Sequence, residues 1–223
     1  MAVSLSQQVS YRRLVTAGND ELWYEDIDVG AGTMTELVAA NGDIDTADQL
    51  NMASAFQKVF IANGSNLKVA DFINTKITTA DIGANAPDSG NVLTESGGGG
   101  ASMIVDYITA DTDDAASTIY GYRTTDATFS NGDTVTGTDD DGNAISFDLD
   151  ADETSSPHWY DWTVYAGNST SYGTMPNKAY LVCVYRGRLV VAGNPEYPNQ
   201  WYMSRVAKPF DFLYGADDRM SAV

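Results

Sequence analysis

The sequence predicts an all-β fold. Short apolar runs rich in β-branched and aromatic residues alternate with turn clusters of Gly, Asn, Asp and Pro, a pattern typical of antiparallel sheets. Apolar patterns with a helical period are scarce, and the one candidate helix start lies at 45–50, where Thr46 can cap the first turn. A chain of 223 residues is long enough for one large domain or two small ones with real cores.

Three short strands in the C-terminal part of the chain predict an antiparallel meander, at 179–185, 189–192 and 200–206. Arg186 and Gly187 separate the first two strands, and Gly187 suits the positive φ of a tight turn. The first strand is apolar throughout and predicts a buried strand. A meander of this kind is the unit of a β-propeller blade.

The N-terminal part of the chain contains two further predicted hairpins. One pairs 11–16 with 21–26, and the other pairs 58–62 with 67–72 around Asn63-Gly64, one of the strongest local hairpin signals. The blade-like pieces are therefore 57–77, 178–212 and, as a weaker third, 11–27.

A strongly acidic segment separates these pieces. From Lys76 to Ser156 there are 16 acidic and two basic residues, a balance of −14 within the chain total of −19. Its loop-like edges and predicted strands indicate a small β-barrel or sandwich domain inserted into a loop, with Gly97–Gly100 as a flexible joint. The predicted organisation is a propeller-like platform at 1–75, the acidic insert at 76–156, and the second part of the platform from 157 to 223.

Composition excludes several classes of function. A net charge of −19 opposes non-specific binding to nucleic acid, which needs cationic contacts to phosphate. No apolar run is long enough to span a bilayer, and the N-terminus has no signal-peptide core. One cysteine and one histidine, Cys183 and His158, cannot form a zinc cluster, and no nucleophile-elbow motif is present. We expect no enzyme activity and no cofactor, and we expect Cys183 to be a small buried hydrophobe.

Two features leave alternatives open. Asp139–Asp141 resembles half of a calcium loop without its full spacing, and Asp148, Asp150 and Asp152 would share one face of an extended strand. They are either ligands of a hard cation or a solvated acidic edge that discourages aggregation. The aromatic run at 159–165 is either a strand packed in a core or an exposed platform for sugars.

The run VYRGRLVVAGNPEYPNQWYMSRVAKPFDF resembles a blade segment of phage tail nozzle proteins, the tail tubular protein B-like virion proteins that contain a propeller. The matching pattern includes Asn63 and Gly64 of the preceding NGSNLKVAD hairpin. In the C-terminal run it falls on Arg186, Gly187, Arg188, Leu189, Ala192, Gly193, Ser204, Pro209, Asp211 and Phe212. The string ASTIYGYRTTDATFSNGDTVTG is similar to a small β-domain found repeatedly in phage tail and neck proteins.

The resemblance implies a structural virion protein, a nozzle or neck component that forms part of the DNA ejection channel. It implies a homo-oligomer, a hexameric ring, that contacts other tail and neck proteins while DNA passes through the lumen without specific binding. The resemblance also implies a location in the virion, which would be assembled in the host cytoplasm. Because a propeller needs about 4 to 8 blades, we expect either the front part of a longer chain or a short version whose open edges neighbouring subunits cover. The alternative function is a carbohydrate-binding adhesin, and a hydrolase that uses paired carboxylates is the third hypothesis.

Overall fold

The computed structural model describes residues 13–18, 20–26, 32–37, 44, 49–163 and 175–212, and the backbone of 2–4 and 9–11. Every regular element among them is a β-strand, so the predicted all-β class is confirmed. No helix in these ranges is long and apolar enough to cross a membrane.

Eighteen strands follow one another along the described part of the chain. They are β1 Ala2–Ser4, β2 Val9–Tyr11, β3 Val15–Gly18, β4 Glu21–Glu25, β5 Met34–Glu36, β6 Asn51–Ala55, β7 Lys58–Ala62, β8 Leu67–Asp71, β9 Thr75–Thr79, β10 Val92–Glu95, β11 Ser102–Ile108, β12 Ser117–Arg123, β13 Thr134–Thr138, β14 Ala144–Asp148, β15 His158–Asp161, β16 Leu181–Tyr185, β17 Arg188–Ala192 and β18 Trp201–Met203.

All the pairs between these strands are antiparallel. Beside the pair β1-β2, the chain forms a first sheet β3-β4-β5, a middle sheet β6-β7-β8-β15, a third sheet β16-β17-β18, and a six-stranded sheet of order β14-β13-β10-β11-β12-β9. The described residues divide into two compact units: Asn74–Ser156, here called the acidic unit, and the residues before and after it, which hold the other sheets. The middle sheet is thus a four-stranded meander whose last strand follows the acidic unit in sequence.

The middle and third sheets begin with hairpins of the same design. In each, two five-residue strands are joined by two residues of positive φ: Phe56 and Gln57 at 51° and 59°, and Arg186 and Gly187 at 50° and 74°. Two left-handed residues in succession give the turn whose twist matches that of the flanking strands. The predicted turn at Arg186-Gly187 is confirmed, whereas Phe56-Gln57 carries none of the usual turn residues.

The middle sheet is buried on both faces. Register places Ile61, Ala70 and Trp159 on one face, where they form a core with Leu22 and Tyr24 of the first sheet. The opposite face carries Phe60, whose ring lies 4.8 Å from that of Trp162 and 6.1 Å from that of Phe210, which follows the third sheet. The three sheets therefore stack in chain order.

The acidic unit has its own core, formed by its six-stranded sheet and the loops that join the strands. Its fully buried side chains include Ile77, Leu93, Met103, Ile119, Phe129, Val135 and Ile145. No ladder joins the two outer strands β14 and β9 into a closed barrel. Backbone hydrogen bonds nevertheless join Lys76 and Thr154 in both directions at 2.9 Å, so the chain beyond β14 runs beside β9.

Several sequence-based expectations require correction. The strand predicted at 179–185 begins at Leu181 and is exposed at four of its five positions, and Cys183 on it is exposed rather than buried. The third strand of that meander is confined to Trp201–Met203, because the chain turns back at Arg205–Lys208. The blade-like piece predicted at 57–77 ends at Asp71, since β9 belongs to the acidic unit.

Expectations near the N-terminus also differ from the structure. The single strand predicted at 11–16 is two strands, β2 and β3. Most of the candidate helix start at 45–50 lies outside the described residues, and the chain after it is extended as β6.

Candidate functional site

The residues that carry the family pattern cluster around the third sheet, and each has a definite contact. Arg186 and Gly187 form the turn between β16 and β17, and the Arg186 guanidinium lies 5.2 Å from the centre of the Tyr185 ring. Gly187 adopts its positive φ without steric cost because it has no Cβ. In Arg186 the Cβ makes a positive φ unfavourable. The carbonyl oxygen of Gly187 accepts a bond from the backbone N–H of Ala207 at 2.8 Å. The turn is therefore tied to the segment after β18.

Ser204 joins the end of β18 to the start of β17. Its side chain is fully buried, and its Oγ accepts a hydrogen bond from Leu189 N–H at 3.0 Å and donates one to the Arg205 carbonyl at 3.0 Å. Arg188 Nη1 donates to the Ser204 carbonyl at 3.1 Å. Leu189 is fully buried, so its backbone N–H needs an acceptor inside the core. The Ser204 hydroxyl is that acceptor, in place of a backbone carbonyl of the neighbouring strand.

The turn after β18 contacts Trp162 through a hydrogen bond and an aromatic side chain. Arg205 N–H donates to the Asp211 carbonyl at 2.8 Å, and the two side chains form an ion pair at 3.6 Å. The Trp162 indole Nε1 donates to the Pro209 carbonyl at 3.1 Å, and Phe212 packs edge-on to the same indole at 6.0 Å. Pro209, Asp211 and Phe212 thus form a clamp between the third and middle sheets.

The pattern also includes residues in loops that follow the second strand of a hairpin. Asn63 Oδ1 accepts the backbone N–H groups of Ser65 and Asn66 at 3.1 and 2.6 Å. Gly64, at φ 86°, donates its N–H to the Ala179 carbonyl at 2.7 Å and lies so close to the Tyr180 ring that a Cβ would overlap it. Gly193 occupies the corresponding loop of the third sheet at φ 73°.

These contacts have one chemical character. The polar side chains of Asn63, Arg188 and Ser204 bond to backbone groups. Asp211 forms an ion pair with Arg205, and Leu189 and Phe212 are fully buried. No pair among them is arranged as nucleophile and base or as acid and base. The cluster therefore fixes the shape and packing of sheets, which is an architectural role.

A buried polar row crosses the middle sheet and was not anticipated from the sequence. Lys58, Asp71 and His158 lie side by side in register on β7, β8 and β15, with exposures of 3%, 0% and 8%. Lys58 Nζ lies 3.7 Å from Asp71 Oδ2, which also accepts a hydrogen bond from Tyr160 OH at 2.9 Å. Because the Asp71 carboxylate is fully buried, a substrate does not reach it, and the row is structural.

A cleft of about 230 Å³ lies at the edge of this row. Arg13 and Lys58 line it beside Met52, Val59 and Phe72. Both cations already have internal partners, Arg13 with Asp26 at 3.9 Å and Lys58 with Asp71. Both cations of the cleft are therefore paired with carboxylates of the protein.

The aromatic run that could have formed a sugar platform is buried where the structure describes it. Trp159 and Trp162 are 7% and 2% exposed, and Tyr160 is also buried. Both indoles belong to the cores between the stacked sheets. The adhesin alternative therefore loses its proposed aromatic surface, apart from positions 164 and 165, which lie outside the described residues.

The acidic residues considered for calcium are engaged with protein groups. Asp139 Oδ1 accepts the backbone N–H groups of Asp141 and Asn143, and the side-chain amide of Asn143 holds the pKa of Asp139 below its usual value. Asp148, Asp150 and Asp152 each accept a bond, from Thr134 Oγ1, Thr78 Oγ1 and Asn131 N–H respectively. The structure does not bring these three carboxylates together.

A different trio of carboxylates does converge. Asp81, Asp113 and Asp114 place ligand oxygens within 4.8 Å of one another, and among the described residues this is the one such group. All three are exposed, and Asp81 Oδ1 accepts the backbone N–H of Gly83 at 2.8 Å. Exposed carboxylates commonly cluster in this way without an ion, so the geometry alone assigns no metal.

The glycine run predicted to be a flexible joint is organised around a carboxylate. Glu95 is 8% exposed, and its two carboxylate oxygens accept the backbone N–H groups of Gly97 and Gly100. Side chains at Gly97 or Gly99 would collide with this carboxylate. The run is a tight anchored turn, which corrects the expectation of a joint.

Comparison with known proteins gives no family assignment. No protein-family model, no curated protein and no solved structure matches the chain.

Proposed function

We propose that this chain is a structural virion protein of a tailed phage, a nozzle or neck ring component that forms part of the DNA ejection channel. The observation that carries the proposal is the architectural role of the pattern residues. The residues that resemble the nozzle family form the turn between β16 and β17 and the buried hydrogen bonds of Ser204. They also form the clamp between the third and middle sheets. Residues that serve packing in this way are typical of a structural protein.

The sheet arrangement supports the same proposal. Three antiparallel meanders that pack on one another in chain order, the middle one with four strands, resemble consecutive propeller blades. The acidic unit is connected between the third and fourth strands of the middle meander, so it can be carried on a loop without changing the stack.

Charge supplies the mechanism in this proposal. The acidic unit contributes −14 of the total −19, and many of its carboxylates are exposed, Asp111, Asp113, Asp114 and Asp126 among them. Carboxylates that face a channel repel phosphate and leave no cationic contacts to retain DNA. DNA would then slide during ejection. Mapping of a basic lumen with the acids outside would overturn this sliding mechanism and leave the structural role.

The experiment that tests the proposal is the intact mass and copy number of the protein in purified particles of the phage that encodes it. We expect the protein in every particle, at six copies. Its absence from particles, or its presence only in infected-cell lysate, would contradict a virion role. A mass above 23.9 kDa would show that this sequence is part of a longer chain.

A further inference from the structure

The outer face of the third sheet is apolar and exposed. Register aligns Leu181, Ala192 and Trp201 in one cross-strand row and Cys183, Val190 and Met203 in the next. Tyr185 and Arg188 complete this face. The opposite face packs inward through buried Val182, Leu189, Val191 and Tyr202.

Strands that are apolar on both faces are typical of a sheet covered on both sides. The middle sheet shows this arrangement, with an apolar core on each face. In the third sheet, by contrast, Leu181 is 54% exposed, Tyr185 53% and Trp201 44%. A contiguous exposed apolar surface of this kind marks an interaction site.

The first sheet lies at the other end of the stack, and its outer face carries acidic residues. Its register places Glu21, Trp23 and Glu25 on that face of β4, with Met34 and Glu36 beside them on β5. Trp23 is half-buried there, and the adjoining Leu14 is 60% exposed. Along the described lengths of β4 and β5, the face thus combines apolar side chains with three carboxylates and no basic residue.

The two ends of the stack are electrostatically complementary. Residues 13–37 contain six acidic residues and one basic residue, a balance of −5, whereas 175–212 contain five basic and two acidic residues, a balance of +3. In a chain of net charge −19, the C-terminal segment is positive. Arg186 and Arg188 lie beside the apolar rows of the third sheet, where carboxylates of a partner could meet them.

We propose that the outer face of the third sheet binds the outer face of the first sheet of a second copy of this chain. The contact is heterologous, because two different surfaces meet, and repetition of such a contact produces a ring or an open filament. It continues between subunits the packing that joins the three sheets within one chain. Its closure into a ring rests on the proposed function, whereas the pairing of the two faces rests on the surfaces just described.

The first test uses the full chain and its single cysteine. Cys183 is exposed on the proposed face, so a maleimide reports whether that face is covered. From nanomolar to high micromolar concentration, we expect the mass in light scattering to rise and the rate of Cys183 labelling per molecule to fall several-fold. A chain that stays monomeric, with a labelling rate independent of concentration, overturns the inference.

Two variants identify the faces. The third-sheet variant carries Leu181→Glu and Tyr185→Glu, and the first-sheet variant carries Glu21→Lys and Glu36→Lys. Each keeps one of the two faces intact, so each alone should be monomeric. An equimolar mixture should form a 1:1 dimer and stop there, because the third-sheet variant supplies a first sheet and its partner supplies a third sheet. The matched control is Val92→Glu, an exposed apolar residue of the acidic unit that is 50% exposed, and it should associate like the unchanged chain.

The outcomes separate this inference from the proposed function. Near-ultraviolet circular dichroism shows whether each variant keeps its tertiary packing, and substitutions at Glu21 and Glu36 alone provide a version that leaves every apolar contact in place. If folded variants associate as the unchanged chain does, or if the mixture fails to form the dimer, the pairing of faces is wrong. The protein can still be a ring component in particles in that case, joined through other surfaces, and the copy number decides that question.

Discussion

The indole of Trp162 and the carbonyl of Pro209 form a buried hydrogen bond of 3.1 Å that connects the middle sheet to the turn after the third sheet. Trp162 follows β15 directly, and Pro209 follows β18. Phe212 packs on the same indole, which is itself 2% exposed. One side chain therefore carries both a polar and an apolar connection between neighbouring sheets.

Substitution of Trp162 should separate these two contributions. Trp162→Phe leaves the Pro209 carbonyl buried without its donor and should lower the free energy of unfolding by about 1–3 kcal/mol. Trp162→Ala also opens a cavity and should cost about 3–5 kcal/mol. Urea unfolding followed by circular dichroism measures both. Trp201→Phe, at a position 44% exposed, is the control and should change stability by less than about 0.5 kcal/mol. Equal effects at the two tryptophans would contradict the clamp.

The ion pair of Lys58 and Asp71 gives a second prediction. Asp71→Asn leaves the buried ammonium of Lys58 without its carboxylate and should destabilise the chain by about 3–5 kcal/mol. The double variant Lys58→Met, Asp71→Leu removes both charges and should recover much of that loss, because a well-packed apolar pair can replace a buried ion pair. A double-mutant cycle that includes the single variants Lys58→Met and Asp71→Leu, followed by urea unfolding, measures the coupling. Additive losses would show that the two side chains do not stabilise one another.

Gly64 should be intolerant of any side chain. Gly64→Ala combines a positive φ of 86° with overlap between the new Cβ and the Tyr180 ring. Gly32→Ala is the matched control, since Gly32 has a φ of 82° but nothing within 4 Å of the position that a Cβ would take. We expect a loss of about 1 kcal/mol at Gly32 and about 2–4 kcal/mol at Gly64, measured as the shift in the urea midpoint. Similar losses at both sites would show that Tyr180 moves aside.

Asp139 gives a prediction about pH. Its pKa is held below 3.8, chiefly by the side-chain amide of Asn143, so the folded state favours the ionised carboxylate. The resulting stabilisation is present above pH 3.8 and is lost as the pH falls through the lower folded pKa. Asn143→Ala should move the pKa of Asp139 back toward 3.8, as measured by carboxyl carbon NMR titration. The control is Asn131→Ala, at an exposed asparagine of the same unit, and it should leave the pKa of Asp139 unchanged. An unchanged titration of Asp139 in Asn143→Ala would contradict the role given to Asn143.

Local sequence signals predicted the local structure well. Asn63-Gly64 and Arg186-Gly187 identified connections in two meanders, because turn chemistry acts over a few residues. The turn at Phe56-Gln57 gave no such signal, since both residues adopt a positive φ that their residue types disfavour. Composition alone indicated where the acidic segment lies, but not that Glu95 would anchor its glycine run.

Non-local relationships could not be predicted from the sequence. Nothing near His158 indicates that it pairs with Asp71, because the partner strand lies on the other side of the acidic unit in sequence. Lys58 and Lys68 resemble surface residues by type, yet both are buried within the middle sheet. Cys183 lies in an apolar strand and suggested burial, since periodicity does not show whether a second layer covers a sheet.

The position of the acidic unit also sets the order in which the chain can fold. Strand β15 pairs with β8 only after the whole of Asn74–Ser156 has been synthesised and its ends have met. A disordered loop of that length would impose an entropic cost on this pairing. Once folded, the acidic unit joins Lys76 to Thr154 through two backbone bonds and replaces the long loop by a short connection. The folded acidic unit therefore shortens the loop that the pairing of β15 with β8 has to close, and mutations that unfold this unit should weaken that pairing.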